Sequence, residues 1–463
     1  MGAELITTHE NHRSIRPGAA LGLYPQGAKG RMKIPEILLF EVEHAPGNLA
    51  QVLQLVGNAG LTVENLEAVA RTSTHTQWEL TIEIDETAQH DLCERIDQLP
   101  SARMLGRSDR VFDRHRGGKI RTVSKVQLTS QQVLRDIYTP GVARVCLAIQ
   151  KDPVKAKEYT NIPNTVAVVT NGTAILGLGD IGAVAGMPVM EGKAALFDAY
   201  ADLSGVPILI EDKDPQVIID TVAAIAPSFG AIQLEDISAP TCFEIEKALI
   251  EKLNIPVLHD DQHGTAVVAL AALITATRQV GRDLKKSRVG QIGLGAAGIG
   301  ISRLLLEYGV EGVIGTDLNQ DAMAQLESLG GQRASLGELM AQADIVISTT
   351  GVKGLIKPEM VREGQVILAL TNPDPEIEPE VALQSGAAFA ADGKSVNNVL
   401  GFPGLFRGAI DAGVVKFTDA MLIAASECLA GLTPSGALTP DPLDRSVHDA
   451  VANAVREAAE QGL

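Results

Sequence analysis

His259-Asp260-Asp261-Gln262-His263-Gly264-Thr265 joins a pair of adjacent carboxylates to the apolar segment Ala266 to Ala276, and the rest of the chain is arranged on either side of it. Neighbouring side chains on a regular element point in different directions, so Asp260 and Asp261 serve different partners unless both merely face water. Upstream, Glu235-Asp236 closes the apolar run Ala231 to Leu234. Parallel α/β sheets gather their reactive groups at strand ends and in the loops beyond them. Together the four carboxylates suit a hard divalent cation such as Mg²⁺ or Mn²⁺, which prefers oxygen ligands. Either pair alone reads most simply as solvated loop acid. That both terminate apolar segments, and that the second is followed by a Gly-Thr turn into a helix, tips the balance towards a metal site. The alanine-rich stretch from Ala266 stops before Arg278 and is too short to span a bilayer, which needs about 18 apolar residues or more, so it reads as a buried helix.

Downstream, Ser287 to Ile292 reads as a strand, Gly293-Leu294-Gly295-Ala296-Ala297-Gly298 as a turn, and the residues through Leu304 and Leu305 as a helix. A GxGxxG pattern alone is weak. Here it has a strand before it, a helix after it, and a second strand, Val313 to Thr316, ending in Asp317. The glycines let a pyrophosphate approach a helix N-terminus, where free amides and the dipole favour anions. Asp317 is placed to accept ribose hydroxyls and would repel a 2′-phosphate. With Leu318 and Asn319 next and no base beside it, NAD is favoured over NADP. Further strands at Asp344 to Ser348 and Val366 to Leu370 lead into Thr349-Thr350-Gly351 and Thr371-Asn372-Pro373, and Asn397-Asn398 precedes Phe402-Pro403-Gly404. By themselves, Asn372 and Asn398 read as loop asparagines serving turns. The helix Asp444 to Gln461 is amphipathic and expected to pack on the body or on a partner subunit.

Upstream, Pro140-Gly141 enforces a turn just after Tyr138. A phenol so placed can donate a proton, although a lone tyrosine more often packs a helix end. Val166 to Thr170 reads as a buried strand, and Ile175 to Asp180 as a second one ending in glycines. Within Met190-Glu191-Gly192-Lys193 the lysine is read as opening a helix through Ala194, Leu196 and Phe197. A cation at a helix N-terminus opposes the dipole, which lowers the cost of losing its proton and suits a general base.

These motifs together, Tyr138 to Ala143, Gly177-Leu178-Gly179-Asp180, Met190 to Lys193, Leu234-Glu235-Asp236-Ile237 and His259 to Thr265, resemble the small-subunit bacterial malic enzymes over roughly residues 120 to 430. The resemblance implies that Glu235, Asp236 and Asp261 bind Mg²⁺ or Mn²⁺ and that Asp260 supports proton transfer. It implies Lys193 and Tyr138 as base and acid, and Asn372 and Asn398 reaching nicotinamide and substrate. It implies oxidative decarboxylation of (S)-malate with reduction of NAD or NADP, and a homodimer or larger assembly. One departure from the larger eukaryotic-type members is Ala174, where those carry an arginine for a substrate carboxylate. Substrate binding would then rest more on the metal and on amide side chains. Malolactic decarboxylation to lactate uses the same site and is the nearest rival; a non-catalytic effector sensor is the rival of another class.

Near the N-terminus, Leu38, Phe40 and Val42 alternate as in a strand, and Leu49, Val52, Leu53 and Val56 recur at helical spacing up to Gly60. Strands follow at Leu61 to Leu66 and Trp78 to Ile84, then a helix from Asp91 to Leu99 and a strand near Met104, the split βαβ order. At Pro46-Gly47-Asn48-Leu49 this unit resembles the ACT domains, small modules that bind an amino acid or similar effector where they pair. His44 stands where that family commonly has an acid. The basic run Arg107 to Arg121 around Gly117-Gly118 reads as a solvated linker.

The expected fold is therefore α/β: a Rossmann-type NAD-binding domain and an α/β malic-enzyme catalytic domain, preceded by a small α+β, ferredoxin-like ACT domain. The expected boundaries are a leader at 1–33, the ACT-like unit at 34–110, the catalytic domain at 111–270, the cofactor domain at 271–430 and a helical tail at 431–463. With 39 basic and 57 acidic residues the net charge of −18 argues against nucleic-acid or anionic-membrane partners. Four scattered cysteines without a CxxC pair suggest neither zinc nor disulfides, and no signal-peptide order opens the chain, so a cytoplasmic location is expected.

Overall fold

The computed structural model describes residues 33–85, 91–175, 178–372 and 374–462; the expected leader up to residue 32 lies outside them, as do Leu176, Gly177 and Pro373. The alternation first seen at Leu38, Phe40 and Val42 produces β1 (Lys33–Glu43), followed by α1 (Asn48–Asn58), β2 (Thr62–Arg71), β3 (His75–Asp85), α2 (Leu92–Asp97) and β4 (Ala102–Asp109). The strands form an antiparallel sheet in the order β2-β3-β1-β4. Because side chains alternate across a strand, Leu38, Phe40 and Val42 fall on one face with Leu80 and Ile82, where Val52, Val56, Leu92 and Ile96 of the two helices cover them. The split βαβ order is as expected.

The basic stretch after it is not a free linker. Arg107 belongs to β4 and pairs with Glu36, while α3 (Arg110–His115) is capped by the Asp109 carboxylate. Lys119 then docks on the body: its backbone N–H donates to Glu191 Oε2 at 3.0 Å and its Nζ to the Pro188 carbonyl at 2.6 Å. Three helices follow, α4 (Gln131–Ile137), α5 (Val142–Lys151) and α6 (Ala156–Tyr159), and none of them buries a residue.

The second sheet is parallel, β5 (Thr165–Thr170), β6 (Ser204–Leu209), β7 (Ala231–Leu234) and β8 (Val257–His259), in the order β6-β5-β7-β8. Its crossovers are α7 (Met187–Ala201), α8 (Pro215–Ile225) and α9 (Thr241–Lys252). Of the strand expected from Ile175 to Asp180, Leu176 and Gly177 lie outside the described residues and the rest do not form one. Among the described residues only a bridge between Ile175 and Gly179 remains, because Gly179 and Gly182 adopt positive φ and turn the chain back on itself.

From β8 the chain passes directly into α10 (Asp260–Gln279), which begins at Asp260 itself, so the expected Gly-Thr turn is absent. Gly264 is needed inside the helix: a Cβ there would lie 1.9 Å from Asp260 Oδ1. Residue 270, taken as a boundary, falls within this helix, which both halves share. It leads to the third sheet, built from β9 (Arg288–Ile292), β10 (Gly312–Thr316), β11 (Gln332–Arg333), β12 (Ile345–Ser348), β13 (Val366–Ala369) and β14 (Phe389–Asp392), all parallel, in the order β11-β10-β9-β12-β13-β14. Numbered within the unit this is 3-2-1-4-5-6, the doubly wound dinucleotide-binding order. Helices α11 (Ala296–Tyr308), α12 (Gln320–Ser328), α13 (Leu336–Gln342) and α14 (Pro379–Gln384) flank it. Finally α15 (Phe402–Ala412), α16 (Asp419–Leu432) and α17 (Arg445–Glu460) return to cover α7 and α10, with Phe402 and Phe406 packed edge-on against Phe197.

One continuous core therefore runs from Val166, Met190 and Phe197 through Val267, Leu270 and Leu273 of α10 to Val289, Ile345 and Leu368. Each such side chain stabilises the fold by about 1.5–3 kcal/mol on burial, and here it also fixes one sheet relative to the other. No helix among the described residues is long and apolar enough to cross a membrane. Helices α10 and α11 meet closely at Gly300 on α11, where a Cβ would lie 2.4 Å from the Gln262 carbonyl of α10. Gly300→Ala must push the two helices apart. Expected is a loss of about 1–3 kcal/mol, read as a lower Tm in thermal unfolding; an unchanged Tm would show the interface to be plastic.

Candidate active site

The end of β7 delivers Glu235 and Asp236, and the start of α10 delivers Asp260 and Asp261. One ligand atom each from Glu235, Asp236 and Asp261 lie within 4.8 Å of one another. Backbone contacts hold them so: the Asp236 N–H donates to Asp261 Oδ2 at 2.9 Å, and the Asp236 carbonyl accepts from Ala174 N at 3.0 Å. Asp236 has a φ of 54°, a left-handed conformation that aspartate adopts more readily than most residues but still at a cost. Asp260 and Asp261, in the first turn of α10, also enjoy the positive end of its dipole.

Adjacent in sequence, these two acids part company as expected. Asp260 is fully buried and its Oδ2 accepts from Lys193 Nζ and, at 2.9 Å, from Asn398 Nδ2. Lys193 also lies 3.0 Å from Glu235 Oε1 and 4.5 Å from the centre of the Phe402 ring. It does not open its helix: α7 starts at Met187, well before it. The expected easing of proton loss is also reversed. Burial by itself would favour the neutral amine, but the charges of Asp260 and Glu235 outweigh it and hold the ammonium above the ordinary lysine range. Burial meanwhile pushes the Glu235 and Asp260 carboxyls up, against the pull of Lys193.

Four carboxylates thus gather around the place where Lys193 pairs with two of them. That excess of negative charge, partly buried, together with an all-oxygen donor set, fits a hard divalent cation at Glu235, Asp236 and Asp261. Behind the cluster, sequence reasoning missed Glu246 of α9. Buried, it accepts from His259 N at 2.7 Å, Gln262 Nε2 at 3.1 Å and His263 Nε2 at 3.0 Å, bracing the turn that presents both aspartates. Burial works against its ionisation, yet His263 and the His259 amide more than offset this and its carboxyl lies below the usual range. Gln233, likewise missed, donates to Glu235 Oε2 at 2.6 Å. A lone acid on an amphipathic helix gives no sequence signal for such a role. The spacing of Gln233 two residues before Glu235, on the same face of a strand, could have given one.

The three glycines of the dinucleotide signature differ in purpose. Gly293 has φ of 88°, Gly298 leaves no room for a Cβ against the Gly293 carbonyl at 1.9 Å, and Gly295 faces open space at the N-terminus of α11. Those are the turn, the close helix packing and the open approach that a pyrophosphate requires. Asp317 stands at the end of β10, accepting from Leu294 N at 2.7 Å and Asn319 N at 2.8 Å. Asn372 is exposed at the end of β13. Tyr138 is not gathered in: it follows α4 and is 67% exposed.

Burial raises Glu235 and Asp260, so their protonated forms favour the folded state; that contribution is whole below the ordinary carboxylate range and is lost as pH rises through the raised values. A divalent cation at Glu235 would compete with the proton there. Mn²⁺ added to chelator-treated protein should therefore raise Tm more at about pH 8 than at about pH 5.5. Asp261→Asn should shrink the rise, and an equal rise in both proteins would remove Asp261 from the ligand set.

Residues 117–250 match the family described as malic enzyme, N-terminal domain, and residues 259–355 match the NAD binding domain of the D-isomer specific 2-hydroxyacid dehydrogenases. The chain is 55% identical to NAD-dependent malic enzyme 1 of Bacillus subtilis over 91% of its own length and 97% of that protein. It is 42% identical to the NAD-dependent malic enzyme of Geobacillus stearothermophilus, over 89% of this chain and 91% of that one. Among solved structures, the malic enzyme from Pyrococcus horikoshii superposes with a TM-score of 0.71 at 41% identity, covering 74% of this chain and 88% of the other.

Proposed function

This chain belongs to the malic enzyme family, and from its site we infer that it catalyses the NAD-dependent oxidative decarboxylation of (S)-malate to pyruvate and CO₂. The observation that carries the reading is the buried meeting of Lys193 with Asp260 and Glu235, beside a three-carboxylate cluster and bonded through Asn398 to the dinucleotide-binding half. A scaffold without chemistry has no physical need to bury those charges.

Glu235, Asp236 and Asp261 would hold Mg²⁺ or Mn²⁺, which supplies Lewis acidity at the substrate's C2 oxygen. Because Glu235 would then serve the cation as well, it would hold the Lys193 ammonium less firmly, and Lys193, its own proton passed to solvent, would take the proton of the C2 hydroxyl. Asp260 receives and orients that ammonium, and Asn398, reaching across from the cofactor half, keeps Asp260 in place. Asn372 at the sheet crest is assigned to the nicotinamide side. Asp317 would accept the adenosine ribose hydroxyls and repel a 2′-phosphate, in keeping with NAD. Tyr138 is assigned as the acid that protonates C3 after CO₂ leaves.

The exposure of Tyr138 supports a homodimer. Leu128, Leu134, Ile137, Leu147 and Val154 are exposed on the same stretch, and apolar side chains grouped on a surface mark contacts with another chain. A second copy covering it would bring the tyrosine into enclosed surroundings. The N-terminal unit is assigned as an ACT-like regulatory module; its βαββαβ order supports this, and His44, bonded to Thr76 Oγ1 at 2.7 Å, marks the loop where an effector would sit.

Purified protein with malate and Mn²⁺ should reduce NAD faster than NADP and yield pyruvate; lactate without reduced cofactor would mean malolactic chemistry instead. Lys193→Ala should lower kcat by about a hundredfold to ten-thousandfold while NAD affinity holds, and near-normal turnover would remove Lys193 as the base.

A further inference from the structure

A cavity of about 530 Å³ lies against the residues that follow the two aspartates on α10, and it touches none of Lys193, Glu235, Asp236, Asp260, Asp261 or the glycine turn. That size suits a small metabolite. Phe243 and Ile250 of α9, Leu329 after α12 and Phe417 before α16 give it apolar walls. Its charged groups are Arg303, Lys247 and Lys416 facing Glu246, Glu251 and Asp419, with His263 beside them. Two of those acids are already engaged. Arg303 pairs with Asp419, and His263 is bonded to Glu246 and accepts from Arg303 Nη2 at 3.2 Å. Lys247 and Lys416 are exposed and make no hydrogen bond or ion pair with any described residue, which leaves them in excess over Glu251. In a chain of net charge −18 a cavity edged by unmatched lysines is an exception to the general field.

We propose that this cavity binds a small organic anion, carrying a carboxylate or phosphate group, and that the bound anion tunes malate binding through α10. The oxyanion sits between Lys247 and Lys416 with Arg303 behind, and the carbon body lies on Phe243, Leu329 and Phe417. Arg303 is the lever. An anion that draws the guanidinium towards itself weakens its hold on His263 and Asp419, and His263 shares Glu246 with the amide of His259. That amide belongs to the residue immediately before Asp260 and Asp261. Gly300 of α11, packed on the Gln262 carbonyl, makes the same turn sensitive to where α11 stands.

The test uses the full-length, Mn²⁺-loaded protein, with glycerol 3-phosphate and succinate as probes and binding followed by calorimetry and by Tm, which do not depend on turnover. At least one probe should bind, raise Tm and change the malate KM by about fivefold or more. In Lys247→Ala/Lys416→Ala the KM and kcat without probe should match the wild type, while probe binding and the KM change are lost. A response to glycerol 3-phosphate alone assigns a phosphate ligand, a response to succinate alone a carboxylate; both support the site. Absence of binding by either probe, or an undiminished response in the double variant, overturns it. Because binding is read directly, a failure of the malic-enzyme assignment would show separately, as binding without malate turnover.

Discussion

The ammonium of Lys193, buried between Asp260 and Glu235, is the constraint around which the rest of this protein is built. Burying a charge is costly unless it is paired and its remaining hydrogen-bonding capacity is met. Each partner of the lysine comes from a different element: Asp260 from the first turn of α10, Glu235 from the end of β7, and the Phe402 ring from α15. The three must arrive together, so the parallel sheet, the central helix and the C-terminal helices are coupled by a single side chain. Asn398 ties the cofactor half to the same point. Such a pair contributes little net stability over apolar packing, but leaving one member unpaired is strongly unfavourable, which specifies one arrangement against its competitors.

Helix α10 carries this arrangement into the second half. Its buried side chains face a core common to both parallel sheets, and its first turn is at once the seat of two acids and the contact surface for α11. Glu246 braces that turn from behind by taking three hydrogen bonds, one of them from the backbone of His259. Site and interface between the halves are therefore the same few residues. Helix α11 touches α10 at Gln262, one residue beyond Asp261.

Much of this was legible in one dimension. Period-two alternation gave the strands of the N-terminal unit, and glycines at set offsets after a short apolar strand gave the dinucleotide turn, because both follow from local stereochemistry. The two acidic pairs stood out for a similar reason: carboxylates at the ends of apolar runs are placed by the run itself. Glu246 and Gln233 escaped notice, since nothing near them in sequence records that they meet the site from behind. The expectation for Lys193 failed in an instructive way. Reading it as the opening of a helix assumed that its nearest electrostatic neighbour was the helix dipole, whereas the nearest are two carboxylates distant in sequence, and at contact range a full charge outweighs a partial one.

By itself, the sequence determined the strands and helices of the N-terminal unit and of the dinucleotide-binding unit, where the glycine turn lies and which acids cap which apolar runs, all consequences of near-neighbour geometry and hydrophobic period. Only the tertiary structure decided that α10 begins at Asp260, that Asp260 and not Asp261 receives the lysine, and that the basic stretch ending at Lys119 is docked on α7. It also decided that Tyr138 stays outside the cluster. Those outcomes depend on charges and backbone amides brought together from distant parts of the chain, whose interaction falls off with distance through space and is blind to separation along the sequence.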